Sequence, residues 1–88
     1  MFDTMAEVKK ANKEIGHFFF SKDTMRFFDS RVESVLYKNQ CFVTSEKACF
    51  EDYTRVYTVR QVESDGEINT ISDKFRTVEA ARAFGRNF

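Results

Sequence analysis

The first 47 residues of this chain show hydrophobic residues at helical spacing and then at alternate positions. A capping box at Thr4 and Glu7 begins the first predicted helix, and Gly16 can end it because glycine readily adopts the left-handed conformation of a helix C-terminus. The apolar stripe of this helix consists of Met5, Val8 and Ile15. A helix of this length with a charged outer face is typical of an element that packs on a core.

A phenylalanine-rich stretch from Gly16 to Val32 follows and predicts a short, capped helix. Ser21 is a favoured N-cap, and Phe20 and Met25 occupy the two positions of a hydrophobic staple. We therefore expect a helix from about Lys22 to Asp29. Because phenylalanine carries no polar group, we also expect the rings around this helix to be buried against one face of a sheet.

The remaining chain predicts four strands and one further helix. The strand patterns cover Arg31–Tyr37, Gln40–Glu46, Tyr53–Ser64 and Glu67–Ser72. Turns are predicted at Lys38-Asn39 and at Asp65-Gly66, the latter as a type I′ hairpin turn. Thr77 is a candidate N-cap for a terminal helix with the stripe Val78, Ala81 and Phe84. This order predicts a single α+β domain over residues 1–88, with a four-stranded antiparallel meander sheet. Its two N-terminal helices, the second of them short, and its one C-terminal helix are expected to pack on one face.

Composition narrows the class of partner. The 88 residues include 14 basic and 14 acidic side chains, and this balance argues against a general electrostatic attraction to nucleic acid or to an anionic membrane. No apolar run approaches the roughly 20 residues of a membrane helix, so we expect a soluble, cytoplasmic protein. Cys41 and Cys49 are too few for a disulfide framework and fit a reducing compartment, where small thiols usually serve as core residues.

The inventory of reactive side chains argues against an enzyme. His17 is the single histidine of the chain, and neither Cys41 nor Cys49 lies in a signature of a nucleophile or of a zinc site. The three glycines are isolated and form no phosphate-binding loop. We therefore expect no catalytic residue, no cofactor and no metal.

Arginine and tyrosine residues in the predicted strands form the candidate binding surface. Strand alternation places Tyr53, Arg55 and Tyr57 on one face, and strand parity can bring Arg31 and Tyr37 to the same side. The candidate protein-binding residues are Arg31, Tyr37, Tyr53, Arg55, Tyr57 and Arg60. Such a surface suits a protein interface, and it also suits the stacking of unpaired bases. A third interpretation is that Tyr37, Tyr53 and Tyr57 complete a small second core under the loop of residues 47–52. A one-residue change in register would exchange the two faces.

Three sequence strings together resemble a group of short, uncharacterised proteins encoded by bacteriophages and prophages. The strings are GHFFFSKDTMRFFDSRV, CFVTSE and RVYTVR, followed by the Asp65-Gly66 turn and a late helix. The resemblance covers most of the chain from Asn12 to Phe84. It departs from the group at residues 48–50, Ala-Cys-Phe, where a more polar or basic run is expected.

The resemblance implies a phage context and carries no functional residue with it. Short phage proteins without an active site frequently act by occluding a host protein, for example a component of CRISPR or another defence system. By this analogy the sequence predicts a non-enzymatic bacteriophage accessory protein that binds a host protein or complex in the bacterial cytoplasm. A small single-stranded nucleic-acid-binding domain is the alternative, and homodimerisation is also left open.

Overall fold

The computed structural model describes residues 1–47 and 55–88 of the chain. The elements, in chain order, are α1 (Met5–Glu14), α2 (Lys22–Phe27), β1 (Arg31–Val32), β2 (Cys41–Lys47), β3 (Arg55–Val62), β4 (Ile68–Phe75) and α3 (Val78–Asn87). None of the helices in these two ranges is long and apolar enough to cross a membrane.

The four strands form one open antiparallel sheet in the order β1-β2-β3-β4, which confirms the predicted α+β class and the meander. The first strand is much shorter than the predicted Arg31–Tyr37. Its continuation leaves the regular ladder but stays beside β2, because the Glu33 amide donates to the Val43 carbonyl and the Tyr37 amide donates to the Cys41 carbonyl. The register of β2 against β3 is regular, with Val43 opposite Val59.

Local capping signals position α1 as predicted. Thr4 and Glu7 form the reciprocal capping box, and Gly16 follows the helix with φ of +83°. The Gly16 amide donates to the Lys13 carbonyl and the His17 amide donates to the Asn12 carbonyl, which is the Schellman pattern of a helix C-terminus. The buried stripe is Met5, Val8 and Asn12. Ile15, expected in this stripe, is 39% exposed because it lies past the last turn as the C-cap.

Two cores lie on opposite faces of the sheet, so the expected packing of all helices on one face does not describe this molecule. Met5 and Val8 of α1 pack with Phe42 and Val62, whereas Ala81 of α3 packs in a cluster on the other side. That second cluster also contains Cys41, Val43 and Val59. Consecutive strand residues point to opposite faces, and β2 is buried at both Phe42 and Val43. The physical reason is that a strand buried on both sides needs a covering layer on each.

The β3–β4 hairpin differs from the predicted type I′ turn. In this turn Gly66 has a positive φ, +105°, and Asp65 does not, whereas type I′ requires both. The Gly66 amide donates to the Glu63 carbonyl, and the Glu63 amide donates to the Glu67 carbonyl. This arrangement is the three-residue loop in which a β-turn is followed by a left-handed glycine. Gly66 is buried against α1, and Asn12 Nδ2 donates to its carbonyl at 2.9 Å.

Most of the rings around α2 are not covered by the sheet, and here the expectation of burial was wrong. Phe20 packs against the core that contains Phe42, and the ring of Phe19 meets the ring of Phe20 edge-on. Phe18, Phe27 and Phe28 are instead 72%, 82% and 54% exposed. The whole of α2 is short and lies at the surface, because none of its six residues is buried.

Candidate protein-binding surface

The C-terminus of α2 is held against the sheet by one arginine. Asp29 ends the helix with φ of +49°, and the Ser30 amide donates back to the Met25 carbonyl. Arg55 Nη1 donates to Asp29 Oδ2 at 2.9 Å, while its Nη2 donates to the Asp29 and Ser45 carbonyls. Arg55 Nε also donates to Ser45 Oγ at 3.2 Å. This set of hydrogen bonds fixes the end of a helix that has no buried residue of its own.

Two exposed rings stand at this fixed helix end, and we call Phe27, Phe28 and Arg31 the ring surface. The rings of Phe27 and Phe28 meet edge-on, with centroids 4.8 Å apart. The Phe28 carbonyl accepts a hydrogen bond from the Lys47 amide, which ties the ring pair to β2. Arg31 is exposed in β1, and in residues 1–47 and 55–88 it has no ion-pair partner. The sequence did not predict that these two rings are exposed, because phenylalanine is a residue that usually favours burial.

A shallow groove of about 400 Å³ begins beside this surface, on the α3 side of the sheet. It is lined by Arg31, Val32, Glu33, Ser45, Arg55, Tyr57, Val78 and Arg82. Arg82 Nε donates to Glu33 Oε1 at 3.0 Å, and Arg82 Nη2 donates to Glu33 Oε2. This contact raises the pKa of Arg82 above its usual value, so the guanidinium stays charged and paired. The groove therefore presents Arg31 as its uncompensated charge among the lining residues.

The six residues predicted from sequence do not form one surface. Arg31, Arg55 and Tyr57 line this groove together, as strand parity predicted. Tyr37 and Tyr57 pack against the core under α3. The third interpretation placed them instead with Tyr53 under the 47–52 loop, most of which lies outside the described residues. Arg60 lies on the opposite face, and Tyr53 lies outside the described residues.

Arg60 belongs to a hydrogen-bonded network on the α1 side of the sheet. Its guanidinium donates to Glu46 Oε1 at 2.7 Å and to the hydroxyls of Thr44 and Thr70 at 2.9 and 2.8 Å. The ring of Phe19 lies over the guanidinium, 4.8 Å from ring centroid to Cζ. All three guanidinium nitrogens are thus engaged, and Arg60 is a structural residue and not an available interface cation.

Three acidic side chains meet at the β3–β4 turn: Glu63, Asp65 and Glu67. Glu63 Oε1 accepts a hydrogen bond from Asn69 Nδ2 at 2.6 Å, and Asp65 Oδ1 accepts one from the Glu67 amide at 2.9 Å. These contacts give the carboxylates a role in stabilising the turn.

Cys41 is fully buried, and burial raises the pKa of its thiol. Because the fold disfavours the thiolate, we expect Cys41 in a Cys49→Ser variant to react with a thiol reagent at neutral pH more than about tenfold slower than in denaturant.

The raised pKa of Cys41 also makes stability depend on pH. The free energy of unfolding keeps its full value below the usual thiol pKa of about 8.5, and it decreases as the pH rises above that value because the unfolded chain then ionises the thiol more readily than the folded chain. A Cys41→Ala variant in the same background should lack this alkaline decrease, as measured by urea unfolding at several pH values. Rapid labelling of the folded chain would contradict the burial of this thiol.

A family model matches residues 4–86 of the chain. The chain belongs to a family of unknown function (DUF7447). The match to DUF7447 begins before α1 and extends into the last turn of α3, so it includes both the ring surface and the groove. No curated protein and no solved structure gives a significant match.

Proposed function

We propose that this protein is a non-enzymatic binding domain that recognises a protein partner through the ring surface. The observation that carries the proposal is the pair of exposed phenylalanines, 82% and 54% accessible, at a helix end fixed by Arg55. Adjacent exposed rings on a small domain are typical of an interface, because burying them on association removes a large apolar area from water. Arg31, which follows Phe28 by three residues, adds a cation that can pair with a partner carboxylate.

Rigid presentation favours tight recognition. A mobile pair of rings would lose conformational freedom on binding, at about 0.5–1.5 kcal/mol for each side chain that becomes immobilised. Here the helix end is already fixed by the Schellman hydrogen bonds at Asp29 and by the Arg55 guanidinium. The backbone that carries the two rings is thus organised before the partner arrives.

The pairing of three arginines with carboxylates favours a protein over a nucleic acid as the partner. Arg55, Arg60 and Arg82 each pair with a carboxylate, at Asp29, Glu46 and Glu33. Tyr37 and Tyr57 pack on the core and do not form an open stacking platform. Binding of single-stranded nucleic acid by this face would need free rings for base stacking and uncompensated cations for phosphate binding.

The chemistry of the described residues supports the non-enzymatic part of the proposal. The thiol of Cys41 is buried and held protonated, and the groove beside His17 contains neither a thiol nor a carboxylate among its described lining residues. General acid–base or nucleophilic catalysis uses a second positioned group close to the reacting atom.

The resemblance to short phage and prophage proteins supports a more specific form of the proposal. In this form the protein is a bacteriophage accessory protein that works in the cytoplasm of the host bacterium. It would occlude a host protein, for example a component of CRISPR or of another defence system. A domain that acts by covering a surface needs an exposed, rigid contact patch and no active site.

The ring surface is tested by substituting its exposed rings. We expect Phe27→Ser and Phe28→Ser each to reduce capture of the partner from a bacterial lysate by at least about tenfold, since interface aromatics often contribute 2 kcal/mol or more. Both variants should keep the wild-type unfolding midpoint because neither ring is part of a core. The measurement is quantitative pull-down, followed by titration with the purified partner.

Phe88→Ser is the matched control, since Phe88 is 58% exposed, lies at the end of α3 and is not part of the ring surface. Arg55, Tyr57 and Arg60 are poor probes because they hold the fold together. Wild-type capture by both ring variants would overturn the proposed surface. Tight, salt-sensitive retention of single-stranded DNA or RNA, lost on removing Arg31, would favour the nucleic-acid alternative.

A further inference from the structure

A second groove, of about 340 Å³, lies on the α1 side of the molecule. It is lined by Lys9, Asn12, Lys13, His17, Phe18, Phe20 and Ser21. Phe20 belongs to the core that α1 forms with Phe42, whereas the groove that contains Arg31 and Arg55 lies on the α3 side. The two grooves therefore lie on opposite faces of the sheet. We call this one the lysine groove. Its volume is at the lower end of the range for ligand-binding clefts.

The lysine groove is positively charged although the whole chain is neutral. Lys9 and Lys13 are four residues apart, so their side chains lie on one face of α1. No acidic residue is among the described lining residues, and neither lysine forms an ion pair within residues 1–47 and 55–88. Two uncompensated ammonium groups thus face one cleft, which attracts an anionic group.

The groove also has an apolar side. Phe18 is 72% exposed and lies beside Phe20, which is anchored in the core. The segment that carries Phe18 is fixed at both ends, because the His17 amide donates to the Asn12 carbonyl and the Ser21 amide donates to the Phe18 carbonyl. The backbone that carries this ring is therefore held in place, and the ring lines the same groove as the lysines.

We propose that the lysine groove binds a partner peptide segment in which a large apolar side chain lies next to acidic residues. The apolar side chain would contact Phe18 and Phe20, while the acidic residues would pair with Lys9 and Lys13. Charge complementarity selects this occupant, since the groove is cationic and apolar at once. This site is separate from the ring surface and does not depend on it.

The test uses a fluorescein-labelled hexapeptide with leucine and phenylalanine in its centre and two aspartates on each side. Binding to the full chain is followed by fluorescence anisotropy. We expect saturable binding that weakens at least tenfold in a Lys9→Glu/Lys13→Glu variant and at least fivefold in Phe18→Ser. A peptide with asparagine in place of every aspartate, and one with alanine in place of both apolar residues, should each bind at least tenfold more weakly.

A Lys10→Glu/Lys38→Glu variant provides the matched control. Both lysines are exposed, neither lines the groove, and the change in net charge is identical. Equal weakening by the two double variants would overturn the site, because the effect would then be one of net charge alone. Absence of saturable binding to the folded wild-type chain would overturn it as well. Phe27→Ser should bind the peptide normally, so failure of this site and failure of the ring surface are distinguishable.

Discussion

Gly66→Ala is expected to destabilise the protein by about 3 kcal/mol. A left-handed backbone costs an alanine about 1–2 kcal/mol, and overpacking a close contact adds about 1–3 kcal/mol. Both penalties apply at Gly66, where φ is +105° and an added Cβ would lie 2.8 Å from the Ala11 carbonyl carbon. That contact is with helix backbone, which cannot move aside as a flexible side chain would. The measurement is urea unfolding followed by circular dichroism.

Gly16→Ala is the matched control for this prediction. Gly16 also has a positive φ, +83°, but nothing lies within 4 Å of an added Cβ. Only the backbone penalty remains, so we expect a loss of about 1 kcal/mol. If the two variants lose the same stability, then the contact between the β3–β4 hairpin and α1 does not constrain the fold.

Arg60→Ala is expected to cost about 2–3 kcal/mol of unfolding free energy. Removing one member of a buried ion pair typically costs 3–5 kcal/mol because the remaining charge is left without a partner. The side chains of Arg60 and Glu46 are each 16% exposed, so water can partly compensate and we expect a loss at or just below the lower end of that range. The substitution also removes donors from Thr44 and Thr70 and the cation over the Phe19 ring. Thermal and urea unfolding measure the loss.

Arg31→Ala provides the comparison, since Arg31 is exposed and a surface change of this kind usually alters stability by less than about 0.5 kcal/mol. A double-mutant cycle with Glu46→Ala should give a coupling energy of at least about 1 kcal/mol for the Arg60–Glu46 pair. A loss in Arg60→Ala no larger than that in Arg31→Ala would show that the network is not a source of stability.

Local signals in the sequence predicted the elements well. Ser21 and Thr77 cap their helices as expected, since a hydroxyl that accepts from a first-turn amide acts within a few residues. The meander order is equally local, because short connections join neighbouring strands. Strand alternation also predicted that Arg31, Arg55 and Tyr57 lie together, and all three line one groove.

Features that depend on distant contacts could not be predicted in this way. Asn12 carries a polar side chain at a buried helix position because its amide meets the Gly66 carbonyl, 54 residues away in sequence. The opposite placement of α1 and α3 depends on which face of β2 each helix covers, and the buried run from Cys41 to Ser45 fits either arrangement. The exposure of Phe27 and Phe28 follows from the position of α2 at the sheet, which residue type does not specify.

The shared use of β2 by both cores links the two sides of the molecule. Phe42 faces one helix and Val43 faces the other, so a single stretch of backbone separates the cores. Destabilising the packing of either α1 or α3 therefore removes contacts from the same strand. A fragment that lacks one of these helices would expose the apolar surface that the missing helix had covered. We therefore expect a fragment cut to isolate one surface to lose the packing that supports that surface.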